Sequence, residues 1–124
     1  SNAYDGAIGR EALLTASQLM GYKFTATRVT RLESGDLAVT VENTGVAYCP
    51  YEVQVCTQEG CAGDLSTLAP GASAVVTVPA SSAASQVLSL TSPRLAPSST
   101  QKLRWSNAEA DSGAATLSVT FGGA

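Results

Sequence analysis

Val39-Thr40-Val41-Glu42-Asn43-Thr44-Gly45-Val46-Ala47 is an alternating strand that runs into a turn. Leu37, Val39 and Val41 share one face, and Ala38, Thr40 and Glu42 share the other, which is the two-residue period of a half-buried strand. Asn43-Thr44-Gly45 ends it, because Asn and Gly accept the backbone angles of a sharp turn. The same grammar recurs along the chain and implies an all-β sandwich.

Downstream, Tyr51–Cys56 reads as a strand with Tyr51, Val53 and Val55 inward, and a short polar strand is predicted over Asp64–Leu68. Ala69-Pro70-Gly71 is a turn signal before a strand at Ser73–Val78 with Ala74, Val76 and Val78 on one face. Pro79–Ser85, rich in Ala and Ser, reads as exposed. Val87–Thr91, Gln101–Trp105 and Ala115–Phe121 complete the strands, with loops over Ser92–Thr100 and Ser106–Gly113. Upstream, Tyr22–Thr27 reads as a strand with Tyr22, Phe24 and Ala26 inward. Val29 is out of phase with them, which calls for a bulge near Arg28. Turn signals about every ten residues are the signature of a sandwich.

Before these strands the period changes. Asp5 is placed to cap a helix from about Ala7 to Met20, in which Ile8, Ala12, Ala16 and Leu19 recur at three- and four-residue spacing and which Gly21 stops. Ser1-Asn2-Ala3 reads as the remnant of a removed tag. The expected organisation is thus a tag remnant at 1–3, a helical segment at 4–21 packing on the sheets, and a β-sandwich at 22–124. The expected fold is an immunoglobulin-like antiparallel sandwich of about seven strands with one N-terminal α-helix.

With 124 residues, net charge −3 and seven scattered basic residues, the chain has no electrostatic footprint for nucleic acid. Arg28 and Arg31, the nearest approach to a basic patch, read as a solvated strand edge. No run approaches the roughly 20 apolar residues of a membrane span, so no membrane insertion is expected.

Cys56-Thr57-Gln58-Glu59-Gly60-Cys61 places two thiols across a hairpin if Tyr51–Cys56 is a strand and the next begins near Cys61. A directly opposed pair brings the Cα atoms to about 4.5 Å, within reach of a disulfide. The alternative is two reduced thiols that are merely neighbours. Cys49 lies about 23 Å from Cys56 along an extended strand and is expected to stay unpaired. A Cys56–Cys61 bridge places the protein outside the reducing cytoplasm.

There is no histidine, which removes Ser-His-Asp and Cys-His nucleophile systems and imidazole metal sites. Carboxylate chemistry would need two converging acids; Glu42 and Glu52, expected on neighbouring strands, are the nearest pair and read as solvated. Asn107, Glu109 and Asp111 match a calcium loop poorly, since Gly113 comes one place late and Ser118 stands where a closing glutamate belongs. The cysteine spacing fits no zinc motif. No catalytic residue, metal or cofactor is expected, and the chain is read as not an enzyme. Tyr48, Tyr51 and Trp105 are the aromatic candidates for stacking on a sugar, although Trp105 shares the face of Leu103 and reads as core before platform.

Gly21-Tyr22-Lys23-Phe24 after a helix, then Val41-Glu42-Asn43-Thr44-Gly45-Val46-Ala47, resembles an uncharacterised C-terminal domain of secreted bacterial proteins, where it follows a barrel resembling glycoside hydrolases. The similarity covers roughly Ile8 to Val55, with weaker agreement at Leu68-Ala69-Pro70-Gly71. Where that family places proline directly after the alanine, this chain has Tyr48-Cys49 before Pro50. The resemblance implies an extracellular or cell-surface bacterial accessory module, one that touches polysaccharide or braces an upstream catalytic domain of the same chain. Leu68-Ala69-Pro70-Gly71 before a strand also resembles immunoglobulin-like adhesion modules, which implies the alternative of a structural or adhesive spacer with no small-molecule ligand.

Overall fold

The computed structural model describes residues 4–7, 22–93, 105 and 116–121. They form eight strands: β1 (Tyr4–Ala7), β2 (Phe24–Arg31), β3 (Leu37–Asn43), β4 (Gln54–Thr57), β5 (Gly60–Ala62), β6 (Ser73–Val78), β7 (Ser85–Thr91) and β8 (Thr116–Phe121). All described pairings are antiparallel, in the order β5-β4-β7-β8-β1-β2-β3-β6. The order divides into two layers that share β1. Tyr4 and Asp5 pair with Arg31 and Thr30 of β2, whereas Gly6 and Ala7 pair with Phe121 and Thr120 of β8.

The alternation in β3 is realised without exception: Leu37, Val39, Val41 and Asn43 are buried and the residues between them are half-buried. A sheet with one apolar face is stable only against a second layer, and that layer supplies Val55, Leu88, Leu90, Leu117 and Val119 to the same core. In β2 the register slips between Ala26 and Arg28, so Thr27 is an extra residue. The expected bulge is therefore present, and it moves Val29 onto the buried face.

Four readings of the sequence are corrected. Tyr4–Ala7, assigned to a helical segment, is a strand; the rest of the expected helix, 8–21, lies outside the described residues. Leu65–Thr67 is a turn of 3-10 helix and not a strand. Asp64 forces this conformation by accepting the Ser66 N–H at 3.0 Å, while Leu65 donates its N–H to Val53 O. The strand expected over Tyr51–Cys56 begins only at Gln54, since 51–53 belong to the crossing between layers, whereas the partner strand expected near Cys61 is present as β5. Trp105 lies outside any strand, while 101–104 of the expected strand there are outside the described residues.

Candidate functional site

Residues 44–53 carry the chain from β3 in one layer to β4 in the other. The fixed point of this crossing is Asn43, fully buried at the end of β3. Its Nδ2 donates to Ala47 O at 2.9 Å and Leu68 O at 3.1 Å. Its Oδ1 accepts from Gly45 N at 3.0 Å and Lys23 N at 3.3 Å. Its backbone N–H donates to Ala72 O, and its carbonyl accepts from Gly71 N. A single amide thus ties the turn, the start of β2 and the Ala69-Pro70-Gly71 turn together. Only a side chain with both donors and acceptors can satisfy such a buried position.

Beyond Asn43 the two-residue period continues through the crossing, although the segment joins no sheet. Thr44, Val46, Tyr48, Pro50 and Glu52 are exposed, while Gly45, Ala47, Cys49, Tyr51 and Val53 are half-buried or buried. The outward row presents Val46 at 87 % exposure and Tyr48 at 56 %, with Pro50 beside them in sequence. This apolar ridge is held up by a row of inward anchors. Tyr51 Oη and Tyr22 Oη are 2.7 Å apart in a hydrogen bond, and the two rings meet edge to face. Cys49 Sγ donates to Tyr51 O at 3.3 Å.

The electrostatics match this packing. Burial holds the Cys49 thiol above its ordinary pKa. Burial, followed by the bond to Tyr51, raises the Tyr22 phenol well above its usual range. Asp64 is held low by the Ser66 N–H it accepts. Cys49 and Tyr22 therefore stay neutral at physiological pH, with a thiol that is a packing group and not a nucleophile, while Asp64 stays ionised.

The three aromatic candidates stand in three different environments. Tyr48 is exposed on the ridge. Tyr51 is half-buried with its hydroxyl engaged by Tyr22. Trp105 is fully buried, with Nε1 donating to Leu88 O at 3.2 Å, so its ring offers no face to a ligand. Glu42 and Glu52 are not on neighbouring strands: β3 pairs with β2 and β6, while Glu52 lies in the crossing that leads to the other layer. The calcium-like stretch 107–113 lies outside the described residues. Among the described residues, no group of three or more acids and cysteines is placed to hold a metal ion.

Cys56 and Cys61 are directly opposed in the β4–β5 hairpin and joined as a disulfide, with Cα atoms 4.0 Å apart. Cys49 is free and buried. Both outcomes follow the spacing argument.

Arg31 is the residue the sequence misplaced. It is only 7 % exposed and not on a solvated edge. Its guanidinium lies over the Phe121 ring, 4.7 Å from the centroid. It donates to Gly35 O, Ser81 O and Ala83 O. Gln86 Nε2 donates to the same Ser81 and Ala83 carbonyls. Arg31 and Gln86 thereby pin the Ala- and Ser-rich connection between β6 and β7. The signal was present: the bulge that puts Val29 inward also puts Arg31, two residues on, on the same side.

No family model matches the chain, and neither a curated protein nor a solved structure is similar enough to count as a relative.

Proposed function

We propose that this chain is a non-catalytic, disulfide-stapled accessory module of a secreted or cell-surface protein, and that it contacts a neighbouring protein domain through the Val46–Pro50 ridge. The single observation that carries this reading is the contrast along the crossing: apolar side chains stand outward on a segment whose inward side is anchored by Asn43, Cys49 and Tyr51. A preorganised loop with exposed valine and tyrosine loses little entropy on docking and buries apolar area.

Bracing of a domain is favoured over gripping a sugar because one ring, not a row of rings, is exposed among the three candidates. The cross-strand disulfide supports a location outside the reducing cytoplasm. Among the described residues, no helix is long and apolar enough to cross a membrane. An immunoglobulin-like arrangement is supported by the way the chain alternates between layers: β2 and β3 in one, β4 and β5 in the other, β6 back beside β3, then β7 beside β4 and β8 beside β7. An upstream carbohydrate-active domain is the partner implied by the sequence resemblance around Gly21–Ala47.

Calorimetric titration of the isolated domain with soluble polysaccharides tests the choice. The expected result is no heat; saturable heat that Tyr48→Ser abolishes would overturn the bracing reading in favour of glycan binding. In the full-length gene product, Val46→Ser with Tyr48→Ser should lower the melting temperature of the neighbouring domain while leaving this one unchanged.

A further inference from the structure

The two ends of the strand order differ in a way that bears on self-association. β5 is three residues long, is stapled to β4, and is flanked by Glu59 in its turn and Asp64 just beyond. β6 is six residues long and pairs with β3 over six consecutive positions without a shift, so its pairing is regular. Among the described residues, no further strand pairs with its outer edge. The usual protections of an edge strand are a charged side chain, an internal proline, a bulge or a short length. β6 has none of these. The run from Leu65 to Pro93, which contains it, holds no charged residue at all.

We propose that β6 is a self-pairing edge, at which a second copy of this chain adds its own β6 antiparallel across a two-fold axis. Charge decides the occupant. Each copy carries net charge −3, so two copies approaching at random bring acids together. Contact through β5 would set Glu59 and Asp64 of one copy against those of the other. Contact through β6 brings no charge of the strand or its flanking turns into the interface.

The register follows from the available length. Pro79, whose carbonyl accepts from Thr57 Oγ1, ends the edge beside the β4–β5 turn, which leaves Ser73–Thr77 without an outer strand partner among the described residues. Antiparallel pairing of this segment with itself centres on Val75. It sets Val75 against Val75 of the second copy, and Ser73 against Thr77. Val75 is 61 % exposed in the single chain and is covered in the pair. The Ser–Thr pairs contribute a cross-strand hydrogen bond on either side. A five-residue edge buries less than the roughly 1,000 Å² expected of a stable interface, so the pairing is weak and concentration-dependent.

Sedimentation equilibrium up to millimolar concentration tests this. The wild type should show a reversible monomer–dimer equilibrium, and Val75→Lys should weaken it about tenfold or more by placing two ammonium groups face to face. Because residue 75 points to solvent, the lysine variant should melt with the wild type. Val75→Cys should yield a covalent dimer under mild oxidation, whereas Ser118→Cys, exposed on β8 away from the edge, should not. A protein that stays monomeric throughout overturns the proposal. So does a dimer indifferent to Val75→Lys, since that dimer forms elsewhere.

Discussion

Replacing Asn43 should be the most damaging single polar substitution in the described part of this chain. Asn43→Ala removes four side-chain hydrogen bonds and leaves Lys23 N, Gly45 N, Ala47 O and Leu68 O without that partner. A buried group left unsatisfied costs about 1–3 kcal/mol. The Leu68 bond is fully buried and counts in full, whereas water can reach part of the other three groups, so the sum is about 3 kcal/mol. For a chain of 124 residues, about 3–6 °C is lost per kcal/mol, so the melting temperature should fall by roughly 9–18 °C. Asn43→Asp separates this explanation from simple loss of packing. It keeps the acceptor but turns an oxygen toward Ala47 O and Leu68 O, so the folded state holds the new carboxyl protonated to higher pH than the unfolded chain does. The unfolded group titrates near pH 3.9. The Asp variant is therefore closest to wild type below that pH and loses stability as the pH rises above it, while the Ala variant shows no such dependence. Thermal melts by circular dichroism at pH 3.5 and 7 read both effects. Variants that melt within a few degrees of wild type at both pH values would refute the hub role.

Three further outcomes follow from local geometry. Gly63→Ala should destabilise more than Gly35→Ala, in urea titrations, by about 1–3 kcal/mol: both glycines have positive φ, but a Cβ at 63 would sit 2.8 Å from Val76 Cγ1 and one at 35 meets nothing within 4 Å. The Cys56→Ser, Cys61→Ser double variant should lose only about 2 kcal/mol, because the cysteines are five residues apart and the loop entropy they remove is small; a loss beyond 4 kcal/mol would mean that the bond holds more than its own hairpin. Cys49 and Tyr22 both have raised folded-state pKa values, so the stability they contribute is intact below the unfolded values of about 8.5 and 10 and is lost as the pH rises past them. Melting temperature should hold level between pH 6 and 8 and then decline, with Cys49→Ala removing the first part of the decline.

Most of the sheet structure was legible because period-two patterning is a physical signal. Val39 and Val41 must face a core, and the phase slip at Val29 could come only from an inserted residue. The cross-strand cysteines were legible because a hairpin of that length leaves them opposed. What stayed hidden depended on distant partners. Tyr4–Ala7 carries no alternation of its own and is a strand only because β2 and β8 each present an edge to half of it. Asp64 read as part of a polar strand, since nothing local announces that it will cap Ser66. Arg31 was taken for solvent-exposed from its charge, although its phase placed it inward, where carbonyls from a connection some fifty residues away receive it. Of the aromatic candidates, Trp105 could be assigned to the core from its neighbours, but the outward row Val46, Tyr48 and Pro50 needed the structure, because alternation is not expected in a segment outside any sheet.

The antiparallel pairing of β1 with β8 has a mechanical consequence. Gly6 lies against Phe121, so the chain enters β1 and leaves β8 at the same end of the molecule. Tension applied between those two points would open their ladder one rung after another, like a zip, instead of loading all rungs at once in shear. Flanking domains joined at those points would hang side by side, with this unit as a pendant on the tether and not a link in its line of force.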